Sequence, residues 1–520
     1  MNRSIVAAFL SFMLLGQAGF AEGKIEQVFS EDNKLIQEDY LVDGEKLAVG
    51  PDGFARHLLE YDEKGNVVRE RFLDDQLRPV ANKNGIIALE REYDDQNRVA
   101  AVRYLDEKGQ PMLLASLGAY GEAFEYDENG NVRVNTRLNA DGSPMAGVRG
   151  WARAEYEYDE ARRRVSETYY DAAGEPCAQT DGYCRVRRVY DEAGNAVREE
   201  YYDTALALAP NNSGIVIIER EYNAEKKVTR TKYFGADEAP MVLASLGAYG
   251  EAFEYNEAGN VTVDTRLDAE GAPMLGVKDW AKVEYEYDEA NRRISETYYD
   301  AEGAPTVMAD GYAAVRREYD EAGNAVREAY FGADLELAPN KSGIIIIERE
   351  FNEDKKVVRT AYLDADEAPM VFASIGACGE RFEYDENGNV AVNTRLDGEG
   401  QPMLGVKGWA KAEYVYDDAK HRVSETYFGA NGAPVVTADG YAAIRREYDA
   451  AGNVVREAYY DAALQLAPNP GGIIILEREF NDKNQVTLLR YLNALEKPMT
   501  LNGAFQMAQA WDEYLQSKGL

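Results

Sequence analysis

The chain has 520 residues, and 57 Lys+Arg against 93 Asp+Glu leave a formal net charge of −36. That balance argues against wrapping nucleic acid or binding an anionic bilayer, since either partner would carry the same sign of charge. With 45% hydrophobic and 11% aromatic residues there is ample apolar surface for a core, which argues against global disorder, and with only His57 and His421 a histidine triad or histidine metal cluster has almost no material.

Residues 1–21 carry Arg3, an apolar run from Ile5 to Leu15, and Ala18-Gly19-Phe20-Ala21 with small residues at the −3 and −1 places. This order predicts a secretory signal cleaved after Ala21. The apolar run is shorter than the roughly 20 residues a spanning helix needs. No cysteine follows the small-residue site, so a lipid anchor is not indicated. The expectation is a mature chain exported without membrane insertion, placed in the periplasm, at the cell surface or outside the cell.

Self-similarity dominates the rest. Ala-Ser-Leu-Gly-Ala-Tyr-Gly-Glu-Ala-Phe-Glu-Tyr begins at Ala115 and Ala244, and a near copy begins at Ala373, so the long step is 129 residues. Within it a shorter unit recurs, marked by an aromatic residue followed by Asp, Asn or Ser, from Phe29, Tyr61, Tyr93 and Tyr126 through to Phe480. The steps are 32 residues with 33 at every fourth, and fifteen units tile Lys24 to about Met499.

The unit around Tyr319 shows the local chemistry. Gly311 to Tyr319 and Ala325 to Phe331, rich in β-branched and aromatic residues, flank Asp320-Glu-Ala-Gly323-Asn324, which predicts a hairpin. A register with Tyr319 opposite Val326 also sets Arg317 against Glu328 and Val315 against Tyr330. The same register sets Val283 against Tyr298 and Ile347 against Tyr362. In the unit of Tyr255 it fails, because Val261, Val263 and Leu267 have the opposite parity; a bulge, or burial of the other face, is expected there.

The remainder of each unit, such as Asp300 to Gly311, reads as a turn, a short third strand and a second turn. One hairpin buries little alone, so stacking on neighbours must supply the stability. The runs Ile215–Ile218, Ile344–Ile347 and Ile473–Leu476 predict one strand per long period covered on both faces. The fold class expected is all-β: an elongated, solenoid-like stack of antiparallel hairpin repeats, continuous over residues 22–499. Over residues 500–520, Phe505, Ala508, Trp511 and Leu515 fall at helical spacing and predict a short amphipathic cap on the last hairpin.

Tyr126-Asp-Glu-Asn-Gly130-Asn131, Tyr190-Asp-Glu-Ala-Gly194-Asn195 and Tyr384-Asp-Glu-Asn-Gly388-Asn389 resemble the tyrosine-aspartate (YD) repeats of the rearrangement-hotspot (Rhs) and teneurin families. The resemblance covers the hairpin part of nearly every unit, although some, such as Tyr158-Asp-Glu-Ala-Arg-Arg, lack the Gly-Asn. It implies secreted, β-rich, cell-surface or intercellular proteins that form long rolled antiparallel sheets, sometimes shells around a toxin.

Asp127-Glu-Asn129-Gly-Asn131 spaces oxygens as calcium loops do, but such loops need Gly sixth and Glu twelfth, where Val132 and Leu138 stand; a turn is the better reading. Cys177 and Cys184 are close enough to bridge, yet Thr306 and Ala313, then Val435 and Ala442, replace them in later periods, so the fold does not depend on a disulfide. No pair stands out among the acids as catalytic, and neither a Gly-x-Ser-x-Gly elbow nor a phosphate loop occurs. Neither a metal nor a cofactor is expected.

Trp151, Trp280 and Trp409 are spaced by 129. They read either as plugs of one recurring gap, the preferred reading, or as a ladder of aromatic faces for a glycan or protein ligand. The expected function is a secreted, non-enzymatic repeat protein that binds a protein or carbohydrate at or outside the cell surface, with a carbohydrate-active enzyme or a structural spacer as alternatives.

Overall fold

A computed structural model describes residues 23–43 and 46–499. The expected signal segment and C-terminal helix lie outside the described residues. Within them the chain forms thirty-one strands and no helix. It divides into two compact units, Met1–Ala252 with Leu267–Gly271, and Phe253–Arg266 with Ala272–Leu520. Each unit is built of antiparallel hairpins that pair with the next along the sequence.

In the second unit, Ala314–Tyr319 pairs with Ala325–Phe331, with Val315 opposite Tyr330 and Arg317 opposite Glu328 as expected. Val283 with Tyr298 and Ile347 with Tyr362 also hold. The expected pairing of Tyr319 with Val326 does not: Tyr319 faces Ala325. The turn closes Asp320 N–H onto the Asn324 carbonyl, which fixes the residues nearest it, while the strand bodies keep their own register. Val326 is the one residue too many, and a bulge absorbs it.

The hairpin of Gly121–Tyr126 and Val132–Leu138, equivalent to the unit of Tyr255 one period earlier, takes the same register and bulge. Its altered parity is met by burial of the other face, where Val134 and Leu138 are enclosed; in the unit of Tyr255, Leu267 is buried likewise.

The second strand of each hairpin bonds to the first of the next, as Glu296 opposite Val315 shows. Between them the expected third strand shrinks to one bridge residue: Pro305 faces Tyr299, and Thr306 N–H reaches the Tyr298 carbonyl. The chain then turns away, with Gly311 N–H bonded to the Met308 carbonyl, so no room remains for a ladder. Among the described residues only Lys46–Leu47, after the first hairpin, forms a two-residue strand here, against Leu41 and Val42. These closing turns bond directly to one another: Ala309 N–H meets the Lys278 carbonyl and Lys341 N–H the Asp310 carbonyl, both at 2.9 Å.

Both faces of the hairpins carry core. On one, Trp280, Val283, Tyr298 and Met308 pack with Tyr285 and Tyr312. On the other, Ala314, Ala329, Phe331 and Ile346 pack with Leu337, Ile345 and Leu363. The neighbours Ile346 and Ile347 point to opposite faces and both are buried, as are Ile217 with Ile218 and Ile475 with Leu476. Double coverage is not confined to one strand per long period, however, since Ala314 with Val315 and Ala443 with Ile444 are also buried. Alanine on one side made those strands look one-sided in sequence.

Candidate functional site

The hairpin tips explain the repeated motif. Asp320 Oδ1 accepts from the Asn324 backbone N–H and Asp320 Oδ2 from the Asn324 side-chain amide, both at 2.8 Å. These bonds, the side-chain one foremost, hold the Asp320 carboxyl below the usual carboxylate range. Gly323 sits at φ +84°, in the left-handed region that glycine enters without strain. The oxygens of Asp127 are spent in the same way on Asn129 and Asn131, as the turn reading expects.

In the units of Tyr158 and Tyr287, where Gly-Asn is missing, arginine takes over. Arg163 Nε bonds Asp159 Oδ2 at 2.6 Å and its guanidinium lies 4.9 Å from the Tyr190 ring centre; Arg292 does the same for Asp288 and Tyr319. The tyrosine of the motif reaches back to the preceding hairpin: Tyr287 Oη donates to the Val261 carbonyl and Tyr93 Oη to the Val67 carbonyl, both at 2.8 Å. Tyrosine, aspartate and asparagine are thus fastenings of the stack.

Trp151, Trp280 and Trp409 occupy three copies of one environment and are 4%, 6% and 5% exposed. Arg137, Arg266 and Arg395 lie over the indoles at 4.5, 4.2 and 4.2 Å. Tyr169, Tyr298 and Tyr427 tilt against them with centroids 5.7, 5.9 and 5.8 Å away. From Tyr298 the contacts continue to Tyr312 and Tyr330. The indole faces are therefore engaged in packing.

Beside each tryptophan lies a carboxylate that the sequence reading did not single out. Ser-Glu-Thr-Tyr recurs at Ser166, Ser295 and Ser424, and the 129-residue step of this tetrapeptide was the available signal. Glu296 is buried; Tyr298 Oη donates to its Oε2 and Arg317 Nη1 to its Oε1, each at 2.6 Å, with Arg293 at 3.5 Å. Glu167 meets Tyr169 and Arg188, and Glu425 meets Tyr427 and Arg446, in the same geometry. Burial pushes the Glu296 carboxyl up, but the tyrosine and arginine bonds outweigh it and hold it below the ordinary range. Burial and the neighbouring carboxylate push the Tyr298 hydroxyl well above the ordinary phenol range. Both shifts favour an ionised Glu296 beside a protonated Tyr298 at neutral pH, the pairing in which the hydroxyl donates to the carboxylate.

On the opposite face, open grooves recur at the same offset around Arg69, Arg198, Arg327 and Arg456, with volumes of about 270, 320, 380 and 230 Å³. Their arginines are taken up by neighbouring carboxylates, Arg327 by Glu348 and Glu367 and Arg456 by Glu477 and Glu496. Cys177, Cys184 and Cys378 are free thiols, and burial pushes Cys177 up to about 11. Among the described residues no three His, Cys, Asp or Glu side chains gather as a metal centre would require.

No family model and no characterised protein sequence matches the chain. Among solved structures, it is similar to TcdB2-TccC3 without its hypervariable C-terminal region, at 16% identity over 90% of this chain and 26% of that one, with a TM-score of 0.25. It is also similar to the Photorhabdus luminescens Tc holotoxin pore, at 13% identity over 93% of this chain and 29% of that one, TM-score 0.22. A porin-like protein from Bacteroides uniformis is matched at 9% identity over 55% of this chain and 92% of that one, TM-score 0.18. The chain spans about a quarter of the length of the first of these structures.

Proposed function

We propose that this chain is a secreted, non-enzymatic repeat protein that presents the same surface several times to a protein or carbohydrate partner at or outside the cell surface. One observation carries this reading. The buried Trp-Tyr-Glu-Arg arrangement is reproduced to within a few tenths of an ångström at steps of 129 residues, so the exposed turns between are held alike in every period. A single catalytic centre would stand out as one set of groups that differs from its copies; a multivalent binder needs equivalent copies, whose joint engagement raises avidity. The residues with the most perturbed protonation are locked in charge-neutralising bonds, which favours binding over acid–base chemistry. The resemblance of the turns to YD repeats points the same way, and the leader-like residues 1–21 support export.

The test is a glycan and surface-protein array probed with the full chain. A ligand whose binding weakens steeply when the array density falls is the expected result, and silence across both arrays would overturn the reading. Export is checked by mass spectrometry of the protein from its native host, with a mature N-terminus near Glu22 expected.

A further inference from the structure

Each closing turn offers one apolar side chain to solvent. In the second unit the position is occupied in succession by Leu275, Val307, Pro339, Val371 and Leu404, at steps of 32, 32, 32 and 33 residues, and every one of them is exposed. Leu275 is 50%, Val371 55% and Leu404 52% exposed. In a chain with 29% charged residues, an unbroken apolar row at solvent is not what random surface composition gives. Backbone bonds between the turns keep neighbouring members together: Ala309 N–H to the Lys278 carbonyl, Lys341 N–H to the Asp310 carbonyl, and Val406 N–H to the Ile375 carbonyl at 3.0 Å.

A second row accompanies the first. Five residues before each of the last four apolar positions stands an exposed acid of the same unit: Glu302, Asp334, Asp366 and Glu399. Each of these acids stands in the turn that precedes its apolar position, so an acidic row and an apolar row follow the hairpins together.

We infer that this double row is a docking surface for a basic amphipathic α-helix of a protein partner, an inference that rests on the binding function proposed above. Charge selects a cationic partner, because a second copy of this chain, at −36, or an anionic lipid surface would be repelled. Spacing selects the helix. Two strands per hairpin set the members about 9.6 Å apart. Residues i and i+7 of a helix lie on one face about 10.5 Å apart. A strand repeats a face at about 6.7 or 13 Å and falls out of step. A polyproline segment has a suitable pitch, but it docks into aromatic-lined grooves, whereas these aliphatic side chains stand out from the turns.

The probe is a lysine-rich helical peptide of about 28 residues with leucine at every seventh position, long enough to cover four steps of the row. Its anisotropy is titrated with the full chain, beside a peptide of the same composition in scrambled order. Binding of the ordered peptide is expected, weakening tenfold or more for the double change Val371→Ser with Leu404→Ser, and for Asp366→Asn with Glu399→Gln. All four side chains are exposed, and an unchanged melting curve confirms that the variants fold. Equal binding of the scrambled peptide, or binding indifferent to both double changes, overturns the inference. An array ligand that binds these variants as well as the wild type, with no binding of the helical probe, overturns the inference and leaves the general binding function standing. Silence of array and probe together overturns both.

Discussion

Replacing Trp280 by alanine removes the largest side chain from the cluster it forms with Val283, Tyr298 and Met308. The indole is 6% exposed, so nearly all of an area of roughly 200 Å² is withdrawn from water. At about 25 cal/mol per Å² that area corresponds to about 5 kcal/mol, an upper figure because the unfolded chain already buries some of it. Alanine keeps a small part, while loss of the ring beneath Arg266, 4.2 Å away, removes a further contribution on the order of 1 kcal/mol. A net loss of about 3–5 kcal/mol follows, typical of truncating a buried aromatic. Because each hairpin leans mainly on its neighbours, hydrogen exchange should rise first in strands Lys282–Tyr287 and Arg293–Tyr299. Urea unfolding followed by circular dichroism supplies the stability, and acrylamide quenching of the wild type reports whether the indoles are reached. Trp151→Ala and Trp409→Ala serve as internal comparisons and should cost nearly the same, given their matching surroundings. An unchanged unfolding midpoint together with freely quenched indoles would refute the packing argument and restore the ligand ladder.

Tyr287→Phe deletes one hydroxyl bond to the Val261 carbonyl and should cost about 0.5–1.5 kcal/mol, while Phe351→Tyr, at a unit that lacks the hydroxyl, should be neutral or stabilising. Equal losses from both in thermal melts would show that the bond is not the reason for tyrosine. Glu296→Gln leaves Arg317 and Arg293 facing a neutral amide and should destabilise by about 2–4 kcal/mol, with part of the loss recovered in the double variant with Arg317→Met. Additive losses in that double-mutant cycle would exclude the pairing. His57 lies between Glu38 and Glu70; burial opposes its protonation, but the two carboxylates prevail and raise its pKa to about 9. A folded-state value above the unfolded one means stability that is fully present below pH ~6.5 and is lost as the pH climbs towards 9. Glu38 and Glu70 are lowered, chiefly by the same histidine, so their contribution disappears on acidification. Proton NMR of the two histidines and stability measured from pH 6 to 9 test this; a flat profile that matches His57→Gln would refute it.

The repeat, the hairpins and most of their pairing were legible in the sequence because they depend on local signals. A turn fixed by Asp, Gly and Asn and strands of matched charge, such as Arg317 with Glu328, settle a register over about fifteen residues. The double apolar runs at Ile346 and Ile347 announced burial on two sides for the same reason. What sequence left open was whatever joins residues of different hairpins. The hydroxyl of Tyr287 meets a carbonyl 26 residues earlier, and Arg163 stands in for a missing asparagine while stacking on the next unit's tyrosine. Glu296 looked like any of 93 acids until folding brought Arg317, 21 residues on, to its side. The tryptophans were conspicuous by their spacing, yet spacing is the same for a plug and for a platform. Only the arginine and tyrosine laid against each indole decide where the ring's faces are spent, because packing depends on which neighbours arrive in space and not on order along the chain.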